Sequence, residues 1–254
     1  MNVFLLSAAA IGACVFLLWL LSLRLKDASI VDLFWGTGFV IIAWLALGLT
    51  GPSPRGWLVT GLVTLWGVRL SVYLTWRNHG RGEDPRYVAM RTRHPHTWTF
   101  RSLLQVFVLQ GVLMCLISLP VQFAIRSMAD LGPLDWLGAT LVLVGVTFET
   151  IGDLQLARFK ADPSNKGKVM TLGLWRYTRH PNYFGDAVVW WGLACFGVAS
   201  GAWYTLASSA FMTFLLVCVS GVALLESTMK KRPGYTEYVG STSSFFPLPP
   251  RKTG

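Results

Sequence analysis

Seven apolar segments alternate with polar connections along the chain, at residues 3–22, 29–49, 57–76, 103–123, 134–157, 185–198 and 203–225. All but the sixth are long enough to cross a hydrocarbon core about 30 Å thick as a helix, and the sixth lengthens if it starts nearer Pro181. The pattern predicts an all-α integral membrane protein with about seven transmembrane helices. No small-residue cleavage site follows the first segment and a second segment comes within a few residues, so the first reads as a retained helix.

Basic residues orient this arrangement. With the N-terminus outside and the C-terminus cytosolic, 19 of the 22 Lys and Arg fall on inner segments, grouped at Arg24–Lys26, Arg77–Arg101, Arg158–Arg179 and Lys230–Lys252. Arg55 and Arg126 fall outside and Arg69 lies within the third span. A chain of 254 residues that is 53% hydrophobic and 13% charged, with mean hydropathy +0.50, has too few charges to cover a soluble globule. The net charge of +10 is therefore a product of topology, and no nucleic-acid partner is expected. Cys14, Cys115, Cys195 and Cys218 sit in apolar segments without ligand spacing. His94 and His96 lack acids at ligand spacing, so neither a disulfide nor a metal site is expected. No linker divides the chain, which reads as one membrane-embedded domain spanning 1–254.

Candidate chemistry concentrates where polar residues enter the apolar segments. In GLWRYTRHPNYFGDAVVWWG, Gly173–Gly192, the cations Arg176, Arg179 and His180 are placed to hold phosphate oxygens. Asn182 and Asp186 are four apart and share a helix face if a helix starts near Pro181. A flank that merely orients the next helix needs neither of them. Asp32, Glu149, Asp153, Asp186 and Glu226 all lie in or at the ends of apolar segments. An acid at the bilayer centre costs about 2.5–3.5 kcal/mol, so five of them imply a polar cavity. Glu149 and Asp153 share one helix face, fitting either a cofactor or hydrogen bonds to neighbouring helices.

In VDLFWGTGF, Val31–Phe39, Asp32 suits a proton donor or an oxygen-polarising acid, with Trp35 as an aromatic wall. Gly36 and Gly38 admit a close helix or a flat ligand. The competing reading is a packing motif with Asp32 paired to Arg69. Arg69, Tyr73 and Trp76 or Arg77 recur at helical spacing, so Tyr73 is a candidate donor to a substrate carbonyl, and Glu83, Asp84, Arg86 and Tyr87 could close a cavity from below. Lys230, Lys231, Arg232, Tyr235 and Tyr238 fit the adenosine end of a dinucleotide, or an anchor at an anionic leaflet. No GxGxxG follows a strand-like run, so a Rossmann domain is not expected.

The Gly173–Gly192 stretch resembles the C-terminal signature of the steroid 5α-reductase family, in particular a bacterial branch of it. More distantly it is similar to the isoprenylcysteine carboxyl methyltransferases, through the shared RHPxYxG element. The first family reduces with NADPH and the second methylates with S-adenosylmethionine, so RHPNY alone does not choose between them. The likeness covers most of the C-terminal half and, more loosely, the third span with its RNHGRG exit.

Matching GLxxYxxxxNxxGE and the preceding aspartate implies cofactor contacts for Asp153, Lys160, Lys168, Tyr177, Asn182 and Asp186. Asp186 stands for the family's glutamate, and Lys160 and Lys168 for arginines. The resemblance also implies a catalytic glutamate on the second span, whose counterpart is Asp32, and a tyrosine on the third. That tyrosine position holds Trp66, which is thereby assigned with Trp35 to the substrate wall. The proton donor is then Tyr73, Tyr87 or Asp32 itself.

The resemblance thus implies NADPH-dependent reduction of the Δ4 carbon–carbon double bond of a 3-oxo steroid or similar hydrophobic enone. Residues 1–127 would lie mainly on the substrate side and 128–254 mainly on the cofactor side of a multi-pass protein of the bacterial inner membrane. The alternatives are an S-adenosylmethionine-dependent methyltransferase of isoprenylcysteine or lipid type, and a non-enzymatic lipid-binding protein. Three basic clusters fit a cofactor with several phosphates better than a sulfonium. The oligomeric state stays open.

Overall fold

Every regular element among the described residues is a helix, and five of these helices are long and apolar enough to cross a membrane. The computed structural model describes residues 2–219, 221–230 and 232–251, so Lys231 and Lys252 of the basic tail lie outside the described residues. The chain divides into two compact units, residues 1–135 with 196–205 and residues 136–195 with 206–254.

The first unit begins with α1 (Val3–Leu25), which the Asn2 side chain caps by accepting from the Phe4 N–H. It ends at Lys26, whose left-handed backbone (φ 56°) returns its N–H to the Ser22 carbonyl. Then follow α2 (Ile30–Thr50) and α3 (Pro54–Asn78). Ser53 caps α3 through the Gly56 N–H, with proline in the first turn where a missing N–H costs nothing. A Cβ on Gly36 of α2 would strike the backbone of Gly67 on α3, and one on Gly67 would strike Gly36, so the two helices meet backbone to backbone. The space at Gly36 is therefore filled by a helix, and that at Gly38 by the Met114 side chain. Beside this crossing the rings of Trp35, Phe39 and Trp66 stack edge to face. Trp66, assigned with Trp35 to the substrate wall, is 0% exposed and packed inside this unit.

Next come α4 (Pro85–Arg93), α5 (Trp98–Ser102), a π-helical turn at Leu103–Val108, α6 (Leu109–Ile117) and α7 (Leu119–Arg126). The fourth apolar segment thus starts earlier than its hydropathy implies and breaks at Ser118. Pro120, in the first turn of α7, cannot donate a helical hydrogen bond across that point. A buried ion pair closes this unit at the end of α3 that carries Arg55. The Arg55 guanidinium meets both oxygens of Asp135 at 2.7 and 2.9 Å, and also donates to Ser127 Oγ and the Asp130 carbonyl.

The second unit is built on α8 (Pro133–Ala161) and α9 (Pro181–Ala199). The sixth apolar segment, expected from residue 185, begins as a helix at Pro181, a residue suited to a first turn. Gly145 and Gly185 face each other so closely that a Cβ on either would lie 2.6–2.8 Å from the opposite backbone. This contact sets the register that brings Glu149 and Asp153 of α8 beside Gly185 and Asn182 of α9. Gly185→Val should lower unfolding stability by about 1–3 kcal/mol or more, since the added atoms can only be placed by separating the helices. Thermal unfolding in detergent checks this, and an unchanged midpoint would refute the close contact.

The seventh apolar segment is likewise not one α-helix. It runs as α10 (Leu206–Phe214), a π-helical turn at Leu215–Val219 and α11 (Val222–Met229). After α12 (Tyr235–Ser241) the chain turns back along residues 175–179. Ser243 O accepts from the Arg179 N–H at 2.9 Å, Phe245 O from Thr178 Oγ1 at 2.8 Å, and the Leu248 N–H donates to Tyr177 O at 3.0 Å.

Candidate functional site

In the first unit, α4 docks on the turn between α1 and α2, and its own N-terminus explains how. Asp84 caps α4 and Pro85 opens it, while the Asp84 N–H donates to Ser29 Oγ at 2.7 Å. Glu83 accepts from the Ala28 N–H and from Arg91, and Arg91 also reaches the Lys26 carbonyl. This docking carries Arg86 and Tyr87 to Asp32 in the first turn of α2. Tyr87 donates its hydroxyl to Asp32 Oδ1 at 2.8 Å, and Arg86 Nη2 donates to Oδ2 at 2.9 Å. Arg86 also donates to both oxygens of Asp84 and lies 5.4 Å from the centre of the Tyr87 ring.

Two of the three candidate catalytic residues, 55 positions apart, are thus hydrogen-bonded. The arginine bonded to Asp32 is Arg86, which the sequence reading places in the loop that could close a cavity from below. On α3 the Tyr73 ring lies 5.5 and 5.7 Å from the guanidiniums of Arg69 and Arg77 and beside Trp76.

One member of the Asp32 cluster was missed in the sequence. Gln110 Nε2 lies 3.1 Å from Asp32 Oδ1 and 3.2 Å from the Tyr87 oxygen. Its signal was only that of one of three glutamines in an apolar run, with Gln105 and Gln122, placed just past the π-helical turn, an irregularity common at functional positions. The electrostatics are ordered. Burial, then the charge and hydrogen bond of Asp32, push the Tyr87 phenol above its ordinary range, so it stays a donor. Burial pushes the Asp84 carboxyl up, but hydrogen bonds from Arg86 outweigh it and hold the group below its usual value. The Asp84 hydrogen bond in turn holds Arg86 firmly charged.

In the second unit the α8–α9 contact gathers Glu149, Asp153, Asn182 and Asp186. Glu149, Asp153 and Asp186 are buried, and Asn182 Nδ2 lies 3.4 Å from Asp153 Oδ1. The cations divide differently than the sequence implied. Arg179, read as a phosphate ligand, is 8% exposed and clamps the tail. Its guanidinium pairs with Glu226 at 2.7–2.9 Å and donates to the Thr242 and Val239 carbonyls. His180 stacks on Tyr183 and lies 3.3 Å from Glu226. Burial pulls its imidazole below the ordinary value despite the pull of Glu226, so at neutral pH it brings no positive charge to a phosphate.

Tyr235 and Tyr238, read as covering an adenosine, are buried beside each other, and the Tyr238 hydroxyl donates to the Trp175 carbonyl. Burial raises both phenols. Arg176, Tyr177, Lys160, Lys168 and Arg232 are exposed.

The fold and these clusters define a membrane protein of several apolar helices with buried polar groups at helix contacts. The chain belongs to the DUF1295 family, described as a protein of unknown function, whose family pattern matches residues 18–242. An uncharacterized protein of Schizosaccharomyces pombe is 26% identical over 260 residues, covering 91% of this chain and 75% of that protein. No solved structure matches.

Proposed function

We propose that the protein is an NADPH-dependent reductase of a hydrophobic α,β-unsaturated ketone, of 3-oxo-Δ4 steroid type or similar. The observation that carries this reading is the Tyr87–Asp32 hydrogen bond, bridged by Gln110 and flanked by Arg86. The second unit has residues that fit a nicotinamide nucleotide. Its exposed cations Arg176, Lys160, Lys168 and Arg232 suit phosphates, and the Asp153, Asn182 and Asp186 array suits amide and hydroxyl groups. When bound, NADPH supplies a hydride for the β-carbon of the enone.

The chain's own groups manage the complementary proton and the charge. Gln110 donates into the Tyr87 oxygen, which leaves the phenolic proton directed at Asp32. A ketone oxygen that replaces Asp32 as acceptor receives that hydrogen bond, and the developing enolate is stabilised by Tyr87 and the neighbouring Arg86 charge. Reduction is completed when a proton reaches the α-carbon, so that one hydride and one proton add across the double bond.

Detergent-purified protein should be thermally stabilised by NADPH more than by NADH, and not by S-adenosylmethionine, because ligands that bind only the native state raise its stability. Asn182→Ala and Asp186→Ala should weaken NADPH binding about tenfold or more, as for a lost hydrogen bond at a buried site. Stabilisation by S-adenosylmethionine alone would replace this reading with the methyltransferase. No response to either nucleotide would leave a lipid-binding protein.

A further inference from the structure

An open groove of about 440 Å³ lies wholly within the second unit, and Thr171, Arg176, Glu237, Tyr238, Ser241 and Thr242 are among its lining residues. Arg176 and Arg179 are three apart, and the structure gives them opposite fates. Arg179 is buried and bonded to Glu226 and the tail carbonyls. Arg176 is exposed on the groove, and among the described residues its guanidinium has no ion pair or hydrogen bond.

The remaining groove groups are also specific. Glu237 is exposed, with its carboxylate beside Gly234, whose left-handed backbone (φ 76°) opens the turn there. Ser241 and Thr242 hold their hydroxyls in long internal contacts of 3.3–3.5 Å, which leaves them able to serve a ligand. The Arg251 N–H is tied to the Ser241 carbonyl at 2.8 Å, so a second exposed cation adjoins the groove. The clamp at Arg179 holds the tail side of this groove against its Arg176 side, so the buried arginine builds the site and the exposed one serves it.

We infer that this groove binds the phosphorylated ribose of a nucleotide, with Arg176 on a phosphate and Glu237 on a ribose hydroxyl. A guanidinium presents a planar fork to phosphate oxygens, and a carboxylate accepts from sugar hydroxyls. Neither partner alone would distinguish a nucleotide from an inorganic ion or from the phosphate of an anionic lipid. Together, across a groove of this size, they match a sugar phosphate. The assignment rests on the proposed cofactor chemistry and adds where the phosphate discrimination lies: NADPH is preferred over NADH through its extra 2′-phosphate on Arg176.

The test measures binding of NADPH, NADH and adenosine 2′,5′-bisphosphate to the full-length protein in nanodiscs of phosphatidylcholine, with and without phosphatidylglycerol. Arg176→Gln should weaken NADPH and adenosine 2′,5′-bisphosphate about tenfold or more while changing NADH much less, with a wild-type melting midpoint because Arg176 is exposed. Arg176→Lys should restore part of the binding, and Glu237→Gln should weaken NADPH and NADH alike. If Arg176→Gln binds NADPH as the wild type does, the groove assignment falls and the cofactor reading stands. If the wild type binds no nucleotide, the cofactor reading falls with it. Arg176-dependent stabilisation by phosphatidylglycerol alone would assign the groove to a lipid phosphate and overturn the nucleotide.

Discussion

Asp32→Asn should lower the rate of enone reduction by about a hundredfold or more while leaving NADPH affinity near the wild-type value, the scale expected when one preorganised electrostatic group is lost from a reacting centre. The substitution keeps the shape of the side chain and one acceptor oxygen for Tyr87, but it removes the negative charge that orients Arg86 and puts an amide donor where Oδ2 accepts from that guanidinium. Tyr87→Phe should give a loss of similar order, since it deletes the phenolic donor itself. Tyr73→Phe should leave turnover nearly intact, because the Asp32 oxygens take their bonds from Tyr87, Gln110 and Arg86 while the Tyr73 ring packs near Arg69 and Arg77. The Asp32–Arg86 pair is partly exposed, with side chains 25% and 45% accessible, so its removal should cost little global stability. Steady-state kinetics with nucleotide binding measured in parallel separate these outcomes. Full activity in Asp32→Asn would remove Asp32 from the chemistry.

Arg55→Met should destabilise the protein by about 3–5 kcal/mol, because it leaves the Asp135 carboxylate without its partner in a site closed to water. The side chains of the pair are 3% and 0% exposed, and the second Asp135 oxygen is also held by the Gly132 N–H. Adding Asp135→Leu to Arg55→Met should recover much of the loss, since a paired apolar replacement strands no charge. The double variant would still lose the Arg55 bonds to Ser127 and the Asp130 carbonyl, so recovery should stop short of the wild type. Chemical or thermal unfolding in a single detergent measures all three proteins. An Arg55→Met variant that unfolds like the wild type would show that water reaches the pair.

Asp32 stood out in the sequence as an acid within an apolar segment, and Tyr87 as an aromatic in the charged connection after the third segment. Their meeting did not, because it depends on Ser29 and Glu83 docking α4 onto the α1–α2 turn across a separation of 55 positions. Gln110 was hidden by the same logic: three neutral amides in that apolar run, Gln105, Gln110 and Gln122, carry no charge signal, and only the helix register aims Gln110 at Asp32. Arg176 and Arg179 are indistinguishable by residue type. They differ because backbone carbonyls of the C-terminal segment reach one and not the other, and main-chain acceptors leave no trace in composition.

The apolar segments themselves were legible, since burial in lipid requires long runs of one kind. Their interruptions at Ser118 and at Leu215–Val219 were less so, because local proline placement and π-helical turns override hydropathy. Trp66 shows the opposite limit. A large ring looks alike in sequence whether it lines a cavity or fills a core, and here Phe39 and the α2–α3 crossing enclose it.

The return of the C-terminal segment onto residues 175–179 has a consequence for biosynthesis. The acceptor that Thr242 offers Arg179 lies 63 positions further along the chain. While the ribosome is still translating that interval, α8 and α9 are available for insertion but the Arg179 charge lacks these ligands. The Arg179 ligands are therefore completed only after α8 and α9 have been synthesised, so burial of this arginine is a late event in the folding of the unit.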